Sequence, residues 1–320
     1  MTDEGNRPIV LVAMGGHAFM QRGEAGDIRN HERNATAICG SLMTLVERDY
    51  NLVITHGNGP QVGNLLLQSE LTQDSVPSMP LDVLVANTEG FLGYVLQQAL
   101  LNQLRRRDIK RYVVTMITQV LVERDDPAFL DPSKPIGPFL TREQAEERRD
   151  RLGWKILEDA GRGWRRLVAS PRPVRVVQRY MIRDSARAGH IVVACGGGGI
   201  PIVRSESRDY EGIEAVIDKD LTSSVLAAEI GAELLIILTD VPQVYVHYGK
   251  PEQRALDAVT LKEIEALEAE GHFGKGSMGP KVEAIVNFLR AGGKRGLITS
   301  PARLADAMDG RAGTHFVGKI

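Results

Sequence analysis

Four short glycine-dense loops hold most of the sequence that could do chemistry: Gly15-Gly16-His17, His56-Gly57-Asn58-Gly59-Pro60, Gly196-Gly197-Gly198-Gly199 and Gly274-Lys275-Gly276-Ser277-Met278-Gly279. Glycine lets the backbone approach a ligand with no Cβ in between, and free N–H groups at a helix start favour an anion. One such loop is usually only a tight turn. Four of them, each after an apolar run or at a helix start, point to a phosphate-cradling crevice at the ends of parallel strands. No GxxxxGK[ST] motif is present and the GGGG after Cys195 is not GxGxxG, so the cations that phosphate chemistry needs must come from elsewhere. Lys219, in Ala215-Val216-Ile217-Asp218-Lys219-Asp220, and Lys281, in Gly276-Ser277-Met278-Gly279-Pro280-Lys281, stand near helix starts and close to glycine. An ammonium there neutralises charge on a phosphoryl group in transfer, a reaction governed by positioning and electrostatics. The plainer reading of either residue is an exposed surface lysine.

The elements that must position these loops follow an alternating pattern. Short β-branched runs at 8–14, 51–56, 174–177, 191–195, 234–238, 296–299 and 315–317 read as strands, and 111–122 as a further strand run. Segments of helical period at 30–48, 82–106, 220–230, 260–270 and 278–291 read as helices. Such alternation predicts a mainly parallel sheet covered by helices. The pattern breaks between 123 and 172, where DDPAFLDPSKPIGPFL is proline-rich, REQAEERRDRL is charged and GRGWRRLVASPRP carries further breakers, which predicts a subdomain projecting from the sheet. A lobe boundary is expected near 220–232.

Composition narrows the class of function. The 320 residues are 43% hydrophobic and 25% charged, the balance of an ordinary globular chain. With 39 Lys and Arg against 41 Asp and Glu, the formal charge is −2, so no bulk positive field holds nucleic acid or an anionic membrane. Cys39 and Cys195 fit no metal-ligand spacing and read as buried thiols of a reducing compartment. The apolar stretch at 9–14 is too short for a signal segment, so the expected location is the cytoplasm.

Along nearly its whole length the chain resembles the carbamate kinases of the amino acid kinase family. The resemblance rests on VLVAMGG, HGNGPQVGNLL, DPAFLDPSKPIGPF, GRGWRRLVASPRP, ACGGGGIPIV, GIEAVIDKDL, LTDVPQVYVHYGKPEQ, GSMGPKVEA and AGTHF. Most amino acid kinases carry a lysine in the first strand before GG, whereas carbamate kinases lack it and carry one on the projecting subdomain. Here those positions are Ala13 and Lys134.

The resemblance implies a three-layer αβα sandwich with a projecting lid. Residues 1–220 would form a carbamate-binding lobe with its lid at about 123–172, and residues 221–320 a nucleotide-binding lobe. It implies that Lys134, Lys219 and Lys281 act on the transferring phosphoryl group, with Asp220 holding the lysines and Asp218 as a secondary candidate. Gly15, Gly16, His17, Gly57, Asn58, Gly59, Gly196, Gly197 and Gly198 would surround the small substrate. Thr239, Asp240, Val241, Tyr245, Gly276, Ser277 and Met278 would meet the nucleotide, ATP or ADP, with Mg2+ bridging its phosphates. A homodimer is also implied. One departure bears on the acceptor: the family loop usually reads GGNAL, and here it reads Gly16-His17-Ala18-Phe19. A histidine ring is larger than the amide and its charge depends on pH. The alternatives are a kinase of the same fold acting on another small carboxylate or phosphonate, and a nucleotide-binding regulator without turnover.

Overall fold

The computed structural model describes residues 7–21, 23–24, 26–159, 161–274 and 278–318, and of His17 the backbone only. Its centre is an eight-stranded sheet in the order Ala258–Thr260, Thr314–Val317, Arg295–Thr299, Leu234–Leu238, Ile9–Met14, Asn51–His56, Ile191–Val193, Val113–Thr115. Every adjacent pair is parallel except Arg295–Thr299 with Thr314–Val317. The continuous apolar runs IVLVAM and LLIIL explain the parallel centre: every residue of both strands is buried, as a sheet covered on two faces requires. Val10 stands opposite Leu234, and Leu11 opposite both Leu235 and Val53, so the sheet runs unbroken from the first half of the chain into the second.

Helices cover both faces. On one, Leu226 and Ile230 pack with Ile285 and Phe288 from helix Met278–Arg290 against Leu11, Val53 and Leu235. On the other, Leu42 and Leu45 from helix Ile28–Glu47 meet Leu96 and Leu100 from helix Leu81–Arg106 over Val10, Ile54 and Ile236. The first of these helices starts where Asp27 accepts a hydrogen bond from Asn30 N, a carboxylate cap on a free backbone donor. The result is the three-layer αβα sandwich expected.

The projecting part is a three-stranded antiparallel sheet, Lys134–Leu140, Trp164–Val168 and Lys155–Glu158, closed by helix Arg142–Leu152 over Leu140, Ala145 and Trp154. Lys134 therefore opens a strand, where the proline-rich sequence suggests a loop. Pro135 and Pro138 are tolerated because this strand has a ladder partner on one side only and is irregular between Ile136 and Leu140. The run 111–122 is also not one strand. Val113–Thr115 ends the large sheet, while Gln119–Leu121 joins a second sheet of four strands with Ile200–Arg204, Tyr210–Gly212 and Arg175–Val176. Between them Thr118 N leaves the ladder to donate to Glu89 Oε2 at 2.8 Å.

Helices Gly59–Leu71 and Arg179–Arg187 are additional to those the sequence pattern predicts. The glycine- and proline-rich start of the first resembles a loop, but Pro60 falls in the first turn, where its missing N–H costs nothing. This helix carries the lid. A Cβ on Gly63 would lie 2.1 Å from Gly137 N, and Gly137 itself has φ +76. Helix and strand thus touch backbone to backbone. Gly63→Ala should push them apart and cost about 1–3 kcal/mol, the usual penalty of overpacking a close contact. Urea unfolding of the variant beside the parent measures it, and an unchanged midpoint would refute the contact.

Candidate active site

The charged centre grows from the start of helix Lys219–Glu229. Asp218 caps it: Oδ1 accepts from Asp220 N at 2.9 Å and Leu221 N at 3.3 Å, while Oδ2 accepts from Lys134 Nζ at 2.7 Å. One carboxylate therefore joins the lid to this helix. The next two residues pair with each other, Lys219 Nζ donating to Asp220 Oδ1, and Asp220 Oδ2 accepts from Lys281 Nζ at 3.2 Å. Lys281 arrives in the first turn of helix Met278–Arg290. Ser223, one turn beyond Lys219, meets Thr55 Oγ1 at 2.6 Å, fixing the helix to strand Asn51–His56. Three lysines from three elements converge on two carboxylates, leaving one net positive charge for an incoming anion.

Burial and charge act against each other here. Burial holds Lys219 below the usual lysine range, with Asp220 opposing it. For Lys281 burial also disfavours the ammonium, but Asp220, then Asp218 and Asp240, outweigh it and hold the group above its usual range. For Asp218 burial favours the acid, yet Lys134 and then Lys219 prevail and keep it ionised well below the carboxylate range. Lys134, Lys219, Asp220, Lys281 and Asp218 thus form one cluster.

The glycine loops close around it. A Cβ on Gly57 would lie 3.3 Å from Gly16 N and 3.5 Å from Lys219 Cδ, so two loops and the lysine stem meet at one point. Gly57 contributes this closeness rather than a donor, since its N–H already goes to Met14 O at 3.1 Å. Gly15 precedes a one-turn 3-10 helix, Gly16–Ala18. A Cβ on Gly59 would lie 3.9 Å from Pro135 O and 4.0 Å from Arg165 Nη2, which brings the lid strands to the loop. The Asn58 amide is buried, donating to Thr88 Oγ1 at 2.8 Å, and a Cβ on Gly197 would sit 2.1 Å from Asn58 Nδ2. It braces the turn Gly196–Gly198. Gly198 is held from beyond, its carbonyl accepting from Thr222 Oγ1 at 2.8 Å. Cys195 opens the turn at φ +51, a left-handed conformation stabilised by its N–H donating to Thr118 Oγ1 at 3.1 Å.

On the other side, Thr239 and Asp240 follow strand Leu234–Leu238, with Thr239 Oγ1 donating to Asp240 Oδ1 at 3.0 Å. Asp240 is near enough to raise Lys281. Val241 is half-buried, Tyr245 lies on strand Val244–Val246 with its ring 6.0 Å from that of Tyr248, and Met278 opens the helix of Lys281. Gly276, Ser277 and the side chain of His17 lie outside the described residues.

Sequence reasoning assigns no role to three side chains of the site. Arg165 lies half-buried beside Gly59, donating to Gly137 O at 3.2 Å and paired with Asp159 at 3.2 Å, and its only sequence signal is the GRGWRRL motif. His56 and Glu89 flank Gly196: a Cβ there would lie 2.6 Å from His56 Nε2 and 3.0 Å from Glu89 Cγ. His56 donates from Nδ1 to Gly57 O at 3.1 Å and stands edge-on to Phe19.

Burial, the leading cause, lowers the His56 pKa to about 4, with Lys219 adding to the effect. The unfolded chain takes up this proton near pH 6.5 and the folded chain does not. Stability is therefore full above about pH 6.5 and declines as pH falls toward 4, by up to about 3 kcal/mol. Urea midpoints at pH 7.5 and 4.5 should differ more in the parent than in His56→Asn, and parallel shifts would contradict this. Both thiols are buried and pushed far up by that burial, so Cys39 and Cys195 should resist a thiol reagent until urea unfolds the chain. Rapid labelling of the native protein would refute it.

A family model described as the amino acid kinase family matches residues 8–300. The carbamate kinase of Thermococcus kodakarensis is 45% identical over 311 residues, 96% of this chain and 98% of that protein. Among solved structures, carbamate kinase from Giardia lamblia bound to citric acid superposes with a TM-score of 0.94 at 39% identity, covering 98% of this chain and 100% of the other. The same enzyme bound to AMP-PNP gives 0.90 at 40% identity, with 98% and 100% covered. By sequence, fold and the arrival of Lys134 from the projecting sheet, this chain belongs to the carbamate kinases of the amino acid kinase family.

Proposed function

We propose that this chain catalyses reversible phosphoryl transfer between carbamoyl phosphate and ADP, giving ATP and carbamate, which then decomposes to ammonia and carbon dioxide. The observation that carries the reading is the cluster in which Asp220 holds Lys219 and Lys281 while Lys134 joins from the lid through Asp218. An oxygen of the ADP β-phosphate attacks phosphorus, and the bond from phosphorus to the carbamoyl oxygen breaks. No proton has to move, because both the attacking and the leaving oxygen are anionic. What the protein supplies is alignment and positive charge, which dominate catalysis of this class.

In this reading Lys219 and Lys281 neutralise the phosphoryl oxygens, and Lys134 exchanges Asp218 for the substrate as the lid engages. The first half of the chain, 1–220, holds the carbamoyl group against Gly15, Gly16, Gly57, Asn58, Gly59 and Gly196–Gly198. The second half, 221–320, holds ATP or ADP against Thr239, Asp240, Val241, Tyr245, Gly276, Ser277 and Met278. Mg2+ belongs with the nucleotide. Asp218 and Asp220 are both committed to lysines, and among the described residues no group of three His, Cys, Asp or Glu side chains could hold a metal. That donor set fits an ion held by phosphate oxygens and water, where it offsets the charge of the phosphates.

A homodimer is supported by the exposed Val83, Phe91 and Tyr94, which fall on one face of helix Leu81–Arg106. Among the described residues no helix is long and apolar enough to cross a membrane. A cytoplasmic location is part of the proposal.

ATP formation from carbamoyl phosphate and ADP in a coupled assay tests the reading directly, and its absence would defeat it. Lys219→Ala or Lys281→Ala should lower kcat by about 100-fold with a smaller change in nucleotide KM, as loss of one contact to developing charge does. Lys134→Ala should lower kcat comparably while leaving ADP affinity within a few-fold. His17→Asn addresses the acceptor: if the ring faces the substrate, the variant flattens the dependence of carbamoyl phosphate KM on pH between about 5.5 and 8.5. Superimposable profiles would make His17 a bystander.

A further inference from the structure

Glu89 stands on helix Leu81–Arg106, 2% exposed, against the turn Gly196–Gly198. Its Oε2 accepts from Thr118 N at 2.8 Å, and the N–H of Gly196 also faces the carboxyl. Oε1 is buried with no hydrogen-bond partner among the described residues. No lysine or arginine among them forms an ion pair with it. With so few donors and no cation, the cost of moving this carboxylate out of water is the larger effect.

The titratable neighbours do not supply a positive charge. His56, across Gly196, is committed through Nδ1 to Gly57 O and stays neutral down to about pH 4. The Cys195 thiol, at the head of the turn, is itself pushed up by burial. Lys219 lies beyond Gly57, with its ammonium on Asp220. The N–H groups of Thr118 and Gly196 favour the carboxylate, but burial without a paired cation outweighs them and favours the protonated form.

We propose that Glu89 works as a neutral carboxylic acid, a positioning residue that fixes the backbone of Thr118 and Gly196 and through them the turn Gly196–Gly198. Thr118 is the hinge of this arrangement, since its Oγ1 accepts from the N–H of Cys195, the left-handed residue that starts the turn. Burial raises the Glu89 carboxyl well above the carboxylate range, in keeping with this role. Ionisation as pH rises would place a negative charge behind a wall that faces an anionic substrate. The part concerning substrate rests on the proposed reading of that turn; the protonation state does not.

Glu89→Gln keeps the shape, the acceptor for Thr118 N–H and the neutral charge, whereas Glu89→Leu keeps only the approximate volume. Glu89→Leu should lower kcat/KM for carbamoyl phosphate by about 10-fold or more, with a smaller change in ADP KM, and Glu89→Gln should restore it to within about threefold of the parent. As pH rises the parent should lose activity that Glu89→Gln retains. A second readout needs no substrate. Unfolding releases the Glu89 proton above pH 4.5, so the folded state binds more protons and parent stability falls with rising pH relative to Glu89→Gln. The Tm of Glu89→Gln minus that of the parent should therefore widen from pH 5 to pH 9.

A Glu89→Gln enzyme as impaired as Glu89→Leu would overturn the proposal, because the carboxylate itself would then be required. A Tm difference that does not change with pH would overturn it as well, and this comparison stands even if Glu89→Leu does not fold. Absence of ATP formation by the parent would defeat the functional reading, yet the Tm comparison would still decide the state of Glu89.

Discussion

The arrangement of the site depends on one buried carboxylate held between two ammonium groups. Lys219 and Lys281 come from the starts of separate helices, and at an effective dielectric of about 20 two like charges ~5 Å apart repel by roughly 3 kcal/mol. Asp220, 4% exposed at its side chain, takes one lysine on each oxygen and turns that repulsion into a bridge between the helices. Lys134 and Asp218 add a neutral pair at the same helix start, so the cluster keeps a single positive excess. Removing one partner of such a buried set leaves the others uncompensated. The electrostatic need of the folded chain and its affinity for an anion thus have the same origin.

Backbone geometry delivers the rest. Parallel pairing aligns the carboxyl ends of Ile9–Met14, Asn51–His56 and Ile191–Val193, so the three glycine loops that follow emerge side by side. Their mutual approach leaves no room for side chains: a Cβ at Gly57, Gly197 or Gly198 would fall within 3.3, 2.1 and 2.4 Å of neighbouring atoms. The same device recurs at Gly63 and Gly137, where the lid strand meets the body. Lys134 reaches Asp218 because that strand is fixed at its backbone. The projecting sheet and the lysine cluster are therefore one mechanical unit, joined at a glycine contact and an ion pair.

Much of this was legible in the sequence where one local signal suffices. The unbroken apolar run 234–238 becomes the strand with the same bounds, and Lys219, Asp220 and Lys281 come together. Signals that depend on distant partners were not legible. The run 111–122 reads as one strand because nothing local reports that Thr118 N will turn to Glu89, 29 residues earlier. Helix Gly59–Leu71 hides behind Pro60 and Gly63, residues that punctuate a loop elsewhere but here serve a helix start and a close contact. One of the two amide N–H donors of Asn58 goes to Thr88, a partner 30 residues away that no local signal reports. Glu89 carries no motif and His56 stands only at the edge of its glycine loop, and the importance of both comes from burial, which only the fold creates.

Those two residues also explain why the charge of the site is one-sided. The lysine cluster offers its positive excess at the start of helix Lys219–Glu229, whereas Gly196 is flanked by an imidazole that burial keeps neutral and a carboxyl proposed to keep its proton. Among groups as buried as these, a fixed field acts more strongly than the same charges in solvent. On the proposed reading, carbamoyl phosphate between them would meet attraction at its phosphoryl end and the glycine turn at its carbamoyl end. Had Glu89 been charged, the wall would repel the carbamate left by transfer and favour its early escape; had His56 been charged, the wall would compete with the lysines for the phosphoryl group. Neutrality behind the glycine turn is therefore as much a part of the site's electrostatics as the lysines are, because it leaves a single direction in which the transferring charge is stabilised.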